Sequence, residues 1–255
     1  MLRTLFIVGM LSVSCGNKST QSSTKNVFGA DDREAITTTE YPWTTIGRVV
    51  SPNGGACTGT LVAKDLVLTA AHCIIDPDTK APYAGNFQFQ PNFKNGTAVE
   101  TYSVSHLWWG TNDPDQFRRA DWAIIRIDGD PGSRFGGLGV ASTTVENFPA
   151  VLTVAGYSSN FMNGMTAGIH HNCTTKKKDT VNKLISHDCD TSRGSSGGPV
   201  LRMLDNKLTV YGINVAERRQ GGEESLYRGV YDEDYANIAI PTVDAAAKLR
   251  EILGL

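Results

Sequence analysis

The chain has 255 residues, with 24 Lys plus Arg against 26 Asp plus Glu and a formal net charge of −2. This balance excludes a global field that would favour nucleic acid or an acidic membrane surface, and 40% hydrophobic residues suit an ordinary packed core. The composition therefore predicts a globular protein with no nucleic-acid partner, large enough for one large β domain or two packed halves.

The N-terminus carries a pattern typical of export. Arg3 precedes the apolar run "TLFIVGMLSV", which is shorter than the roughly 20 residues that span a bilayer but matches a secretory signal. "SVSC" resembles a bacterial lipoprotein cleavage box, so residues 1–15 are predicted to be the export signal and Cys15 the lipid acceptor. A membrane tether through Cys15 and free secretion remain the two alternatives. Residues 16–26 are polar and rich in Ser and Thr, which predicts a tether or a short pro-segment.

Export places the remaining cysteines, Cys57, Cys73, Cys173 and Cys189, in an oxidising compartment. Four cysteines allow three pairings. Sequence neighbours would each close a loop of about 15 residues, worth roughly 3 kcal/mol in the chain-entropy model. "HNC" (171–173) and "HDC" (187–189) offer zinc as an alternative, but His-x-Cys is not a usual zinc spacing. We therefore favour disulfides and predict no metal and no cofactor.

Beyond residue 43 the chain alternates short strand-like runs with turns rich in Gly, Pro, Asn and Asp. The runs are "WTTIGRVV", "CTGTLVA", "LVLTAA", "FQFQPNF", "TYSVSHLWW", "WAIIRI", "AVLTVAGY", "MTAGIHHNC", "PVLRM", "KLTVYGINVA" and "ANIAI". Residues 128–147 are predicted to link a first half, 27–127, to a second half, 148–255, and the Lys176–Lys178 run is predicted to be a solvated loop. The sequence predicts an all-β protein of two sandwich- or barrel-like halves, with a cleft between them as a common place for a site.

One segment has helical spacing. In "VDAAAKLREIL" an apolar face is predicted from Val243, Ala246, Ala247, Leu249 and Ile252. This is the single helix that the sequence predicts, and it follows the last strand.

Three short motifs occur in the order His, Asp, Ser. "VLTAAHC" ends a strand-like run with His72, "RRADWAIIRI" places Asp121 before an apolar strand, and "TSRGSSGGPVL" sets Ser196 among glycines. Singly, each fits a satisfied strand-end or turn residue. Together they supply a hydroxyl nucleophile, an imidazole base and an orienting carboxylate, and the glycine turn can aim backbone amides at an oxyanion. The remaining histidines, His106, His170, His171 and His187, are predicted to be surface or loop residues.

These motifs resemble the trypsin/chymotrypsin class of serine endopeptidases over roughly residues 27–255. "TAAHC", "DWAII" and "GSSGGPV" match its three signature sites, and "VFGADDRE", "YPWTTIGRV" and "CDTSRGSSGGPVL" look like its bacterial glutamyl endopeptidase branch. The resemblance implies two six-stranded antiparallel β-barrels with the site between them and a disulfide from Cys57 to Cys73. It also implies His72 as general base, Asp121 as its partner, Ser196 as nucleophile, and the amides of Gly194 and Ser196 as oxyanion hole.

Two departures bear on activation and specificity. Ser195 stands where trypsin-like enzymes keep the Asp that pairs with a freed N-terminus, so this salt bridge is not available here. The glutamyl branch also lacks that Asp, and its mature chains begin near the position of Val27. The resemblance therefore predicts processing near Asn26–Val27, with the new amino group helping to order the site. Asp190 stands where an acid selects Lys or Arg, while "CDT" also suits the glutamyl branch, in which Thr191 helps bind an acidic side chain. That branch uses a histidine where this chain has Asn214. Acidic, basic and neutral preferences all remain open.

The resemblance predicts a serine endopeptidase acting on protein or peptide substrates, and the N-terminal signal predicts that it is exported; we expect a monomer. A catalytically silent homologue that binds surface ligands is the first alternative, although such homologues usually lose a triad residue. A structural lipoprotein is the second, but it gives no reason for the three motifs to occur together.

Overall fold

The computed structural model of the protein describes residues 26–142, 149–179, 181–218 and 230–255. The predicted export signal, the lipidation residue Cys15 and most of the predicted tether lie outside the described residues. The strands are β1 Glu34–Ala35, β2 Ile46–Val50, β3 Ala56–Leu61, β4 Leu66–Thr69, β5 Gln88–Pro91, β6 Tyr102–Trp109, β7 Ala123–Ile127, β8 Gly139–Val140, β9 Val151–Gly156, β10 Gly168–Asp179, β11 Leu184–His187, β12 Pro199–Leu204, β13 Lys207–Glu217 and β14 Asn237–Pro241. The helices are α1 Gly132–Phe135 and α2 Val243–Leu253.

Six strands close the first barrel in the order β2-β3-β4-β7-β6-β5, with β5 returning to β2. Every pairing in it is antiparallel. Buried branched and aromatic side chains such as Leu61, Phe89 and Ile125 fill its interior, as the pleat of alternating strands requires. A glycine at position 47 makes room for this core, because a Cβ there would lie 2.4 Å from the Phe89 ring.

The second barrel closes through β9, β10, β11, β14, β13 and β12, with β12 pairing back to β9. β8 adds to β13 in parallel and β1 adds to β10. A shared apolar cluster holds the two barrels together, with Leu68 and Ile124 from the first and Ile213 and Ile240 from the second. The prediction of two six-stranded antiparallel barrels and a C-terminal helix is therefore confirmed.

Several local predictions were wrong. β11 was not predicted, and the lysine run predicted as a loop continues β10, where Lys176 Nζ lies 2.5 Å from Asp188 Oδ2. Within the predicted linker the chain forms α1 and β8. On α2 the buried residues include Ala245, whereas Ala247 is exposed.

The start of the predicted first half belongs structurally to the second barrel. β1 pairs with β10, and Ile36 N donates to Ala167 O at 2.9 Å. The N-terminal segment therefore braces the barrel that carries Ser196, a contact between distant parts of the chain that local sequence pattern does not encode.

Candidate active site

His72 and Asp121 form a two-point contact. His72 lies in a one-turn 3-10 helix after β4, and Asp121 ends another such turn immediately before β7. Because β4 and β7 are neighbours, the His72 N–H donates to Asp121 Oδ1 at 2.9 Å and Nδ1 lies 2.8 Å from Oδ2. The carboxylate is fully buried and the imidazole is 31% exposed. Asp121 therefore fixes the ring and leaves Nε2 as the nitrogen available for proton transfer.

The turn from Ser192 to Gly198 is built around glycines that no other residue could replace. Gly194 has φ +98° and a Cβ there would lie 2.4 Å from Tyr157 O; Gly197 has φ +80° and a Cβ there would lie 2.2 Å from Thr69 Oγ1. The backbone of Gly194 lies against the backbone of Tyr157, and that of Gly197 lies against the buried Thr69 hydroxyl. The "GSSGG" sequence thus encodes a sharp turn held between the two barrels.

This turn leaves the backbone amides of Gly194 and Ser196 without an acceptor among the described residues. Arg193 O accepts the Ser159 N–H at 2.8 Å, and Ser195 O accepts the Gly198 N–H at 2.9 Å. In a trans peptide the N–H points away from the carbonyl, so the N–H groups of Gly194 and Ser196 face away from these partners. Within the described part of the chain neither amide donates a hydrogen bond. They are therefore available to an oxyanion.

The two adjacent serines differ in their surroundings. Ser195 is 2% exposed, its hydroxyl donates to Ser192 O at 2.6 Å and accepts from Asn214 Nδ2 at 3.1 Å. Ser196 is partly exposed and adjoins an open cleft. Ser195 is thus committed to holding the turn, and Ser196 is the serine that a substrate can reach. No hydrogen bond joins the Ser196 hydroxyl to the His72 ring among the described residues.

The cleft beside Ser196, here the Ser196 cleft, has a volume of about 580 Å³. One wall is the end of β13, from Asn214 to Glu217, and the other is the Ser192–Ser196 turn. Arg193 is exposed at its edge, and within the described residues its guanidinium forms no ion pair. Arg118, also at the edge, is paired with Asp115 at 3.2 Å.

Asp190 and Thr191 lie behind this cleft. Asp190 is 2% exposed; its Oδ1 accepts the Phe28 N–H at 2.9 Å and its Oδ2 the Asp32 N–H at 3.0 Å. The Asp190 N–H donates to His170 Nδ1 at 2.9 Å, so in the neutral ring that nitrogen does not donate to Oδ2, 3.2 Å away. Thr191 N donates to Asn26 O at 3.3 Å. The Asp190 carboxylate therefore anchors the N-terminal segment and does not line the Ser196 cleft.

A buried histidine beneath the cleft was missed. His187, predicted to lie on the surface or in a loop, is fully buried on β11, and His170 is 9% exposed; both predictions were wrong. Burial lowers the pKa of His187 to about 4, only partly opposed by the nearby charge of Asp188, so its ring is neutral near pH 7. The strand that carries it is four residues long, which left little periodic signal.

The four cysteines form two disulfides, Cys57–Cys73 and Cys173–Cys189. The zinc alternative was therefore wrong, because both thiols of its proposed site are consumed. Among the described residues two groups have metal-ligand spacing: His72 with Cys57 and Cys73, whose sulfurs are joined in a disulfide, and Asp32 with His170 and Asp190. In the second group the Asp190 oxygens and His170 Nδ1 already bind backbone amides, so it makes a poor cation site. No helix in the described ranges is long and apolar enough to cross a membrane.

The trypsin family model matches residues 32–237, which include His72, Asp121 and the whole 192–198 turn. The chain belongs to the trypsin family. Its described architecture of two six-stranded antiparallel barrels agrees with this membership.

Among curated proteins, the chain is 29% identical over 215 residues to a glutamyl endopeptidase of Bacillus licheniformis, covering 81% of this chain and 65% of that protein. It is 27% identical over 190 residues to a Bacillus subtilis protein named as an extracellular metalloprotease, covering 69% and 58%. It is 24% identical over 211 residues to human serine protease 23, covering 72% and 53%. The chain thus spans about half to two thirds of the length of these relatives.

Solved structures support the same trypsin-family fold. A Glu endopeptidase superimposes with a TM-score of 0.72 at 21% identity, covering 89% of this chain and 98% of that one. The protease Anisep from Arthrobacter nicotinovorans gives a TM-score of 0.61 at 20% identity, covering 81% and 94%. At these identities the likeness concerns the fold.

Proposed function

We propose that this trypsin-family chain is an exported serine endopeptidase that hydrolyses peptide bonds through an acyl-enzyme, with Ser196 as nucleophile, His72 as base and Asp121 as its orienting partner. The two-point contact of His72 with the buried Asp121 carboxylate carries the proposal. A fully buried carboxylate is costly unless it has a partner, and both of its oxygens contact His72, whose side chain is 31% exposed.

In the proposed reaction, Ser196 Oγ attacks the scissile carbonyl carbon while its proton passes to His72 Nε2. The carbonyl oxygen becomes an oxyanion between the Gly194 and Ser196 N–H groups, and the imidazolium is held against Asp121. His72 then gives the proton to the departing amine. Water repeats the sequence on the acyl-enzyme, with His72 again as base, and releases the carboxylic acid and the free serine.

We propose that the Ser196 cleft favours an acidic side chain on the acyl side of the bond. Arg193 is the cation at the edge of the cleft that lacks a carboxylate partner within the described chain, and Asn214 adds a buried amide to its wall. The trypsin-like alternative needs a free carboxylate at the cleft floor, whereas Asp190 is occupied by the amides of Phe28 and Asp32. Two other carboxylates, Asp115 and Glu217, line the cleft, and Asp115 is paired with Arg118. Thr191 Oγ1 and Asn214 Oδ1 have no hydrogen-bond partner among described groups, which leaves polar atoms for a ligand or water.

Maturation before Val27 is part of the proposal. Val27 is buried, and Asn26 O accepts from Thr191 N and from Asn237 Nδ2 at 3.0 Å. Cleavage there would create an ammonium group beside Thr191 and Asn237, and Asn237 Oδ1 is a buried acceptor without a partner in the described structure. The two disulfides fit an oxidising compartment. Export through residues 1–15, with Cys15 either lipidated or removed, and a monomeric state complete the proposal.

Two experiments test this function against the silent-homologue alternative: labelling with a fluorophosphonate probe, and identification of the peptide bonds that the protein cleaves. The wild-type protein should be labelled within minutes, Ser196→Ala should not be labelled, and the matched Ser195→Ala variant should retain labelling. Digestion of denatured proteins should then give cuts after Glu or Asp that are absent from Ser196→Ala. Slow labelling that is equal in all three proteins would favour the silent homologue, and cuts after Lys or Arg would reject the acidic preference.

A further inference from the structure

A second cleft lies beside the candidate oxyanion amides and takes no part in the mechanism above. This Arg48 cleft has a volume of about 170 Å³, and its lining includes Arg48, Ala56, Tyr157, Arg193 and Gly194. Its charged lining residues are the two arginines, and no carboxylate side chain contributes to its wall. Within the described residues neither guanidinium forms an ion pair, so the cleft is electropositive.

Arg48 is fixed in place by its surroundings. Its guanidinium lies 4.3 Å from the centre of the Phe93 ring, and its Nε is buried without a hydrogen-bond partner among the described residues. Burial lowers the pKa of Arg48, but a guanidinium stays protonated at any physiological pH. Burial also raises the pKa of Tyr157, whose hydroxyl donates to Phe93 O at 2.9 Å, so the tyrosine stays neutral. No anion in the wall offsets the charge of Arg48.

The Arg48 cleft and the Ser196 cleft meet at Arg193 and otherwise have different walls. The Ser196 cleft is bounded by the end of β13, while the Arg48 cleft is bounded by β2, the start of β3 and the loop after β9. The proposed function places the acyl half of a substrate in the Ser196 cleft. Ser196 lines that cleft and Gly194 lines the Arg48 cleft, so with the scissile carbonyl at these two amides the Arg48 cleft is available to the chain beyond the scissile bond.

We infer that the Arg48 cleft is a leaving-group subsite that binds a carboxylate on the first or second residue after the scissile bond, through Arg48 and Arg193. The inference rests on the proposed endopeptidase function. A guanidinium recognises a carboxylate through charge-assisted hydrogen bonds, and one held against an aromatic ring loses little freedom on binding. The carboxylate can come from an acidic side chain or from the C-terminus of a short leaving peptide.

Cleavage of internally quenched peptides by the exported protein, expressed from the whole 255-residue sequence, tests the inference. Matched peptides share one acyl half and differ only at the second position after the scissile bond, which holds Glu, Gln or Lys, and all have amidated C-termini. We expect kcat/KM to be about fivefold to tenfold higher for Glu than for Gln, and lower again for Lys. The ratio should shrink as ionic strength rises, because the arginines are partly exposed to solvent. A parallel pair with free and amidated C-termini separates the two sources of carboxylate.

Variants assign the preference to its residues. Arg48→Gln and the exposed Arg193→Gln should each bring the Glu to Gln ratio near 1, while Arg48→Lys should retain part of it. Arg202→Gln is the matched control, because Arg202 also lies over an aromatic ring, that of Tyr211, but lines neither cleft. It should keep the wild-type ratio. Cleavage of all peptides at equal rates would overturn the subsite and leave the peptidase intact, whereas no cleavage of any peptide would reject the proposed function itself.

Discussion

Replacement of Asp121 by Asn tests the core of the proposed mechanism. The wild-type carboxylate accepts two hydrogen bonds from His72, one from the backbone N–H at 2.9 Å and one at Nδ1 at 2.8 Å. An amide of the same shape can preserve the first bond through its oxygen. The NH2 group of the introduced amide then faces His72 Nδ1 and can only donate a hydrogen bond to it. The proton of the neutral His72 ring therefore moves to Nε2, the nitrogen that must accept the serine proton.

The expected loss follows from this reversed tautomer. An imidazole that presents N–H to Ser196 cannot act as its base, and the negative charge that stabilised the imidazolium is also absent. We expect kcat to fall by about 10³ to 10⁴ at neutral pH with little change in KM, which corresponds to roughly 4–5.5 kcal/mol of transition-state stabilisation. The shape of the side chain is unchanged, so the fold should persist.

The assay is steady-state hydrolysis of a quenched peptide, with thermal unfolding as a check on folding. Asp244→Asn, on the half-exposed carboxylate that pairs with Arg119 at 3.4 Å, is the matched control and should keep wild-type kcat. A folded Asp121→Asn enzyme that retains more than a tenth of the wild-type kcat would refute the assignment of Asp121 as the residue that sets the His72 tautomer.

Three further predictions concern the turn, the disulfide and the buried histidine. Gly194→Ala places a Cβ 2.4 Å from Tyr157 O at φ +98°, so it should displace an oxyanion amide and lower kcat about 100-fold or more in the peptide assay; near-normal kcat would contradict that role. Joint replacement of Cys173 and Cys189 by Ala should lower the free energy of unfolding, measured in urea, by about 3 kcal/mol. An unchanged free energy of unfolding would show that this disulfide does not stabilise the fold by restricting the unfolded chain. Because the pKa of His187 falls from 6.5 to about 4 on folding, the unfolded chain binds a proton there that the folded chain excludes, so stability should drop by roughly 3 kcal/mol as pH falls from above 6.5 to 4. His187→Gln should flatten that part of the pH profile, and an unchanged slope would mean that other groups cause it.

Much of the architecture could be predicted because its signals are local. Short apolar runs between turn residues gave the main strands of both barrels, and the helical period gave α2, although its buried face includes Ala245 and excludes Ala247. β11 was missed because four residues carry little period, and the lysine run in β10 was missed because polar side chains on a solvent-facing strand resemble a loop.

The sequence by itself determined the local conformation of the three motifs at the candidate site. "AAHC", "ADWA" and "GSSGG" each have a local conformation that their own residues impose: turns after or before apolar strands, and a loop whose glycines alone tolerate positive φ. Closure of the first barrel then brings His72 and Asp121 together, because β4 and β7 are neighbours.

Only the tertiary structure decided what surrounds those residues. Whether Asp190 faces a substrate or the backbone of residues 28–32 depends on where a segment more than 150 positions away docks. The burial of His187 and the pairing of Arg48 with Phe93 likewise depend on contacts across barrels and between distant strands. Charge and burial at a site are properties of all the groups that pack around it, and for these residues no local pattern specifies which groups those are.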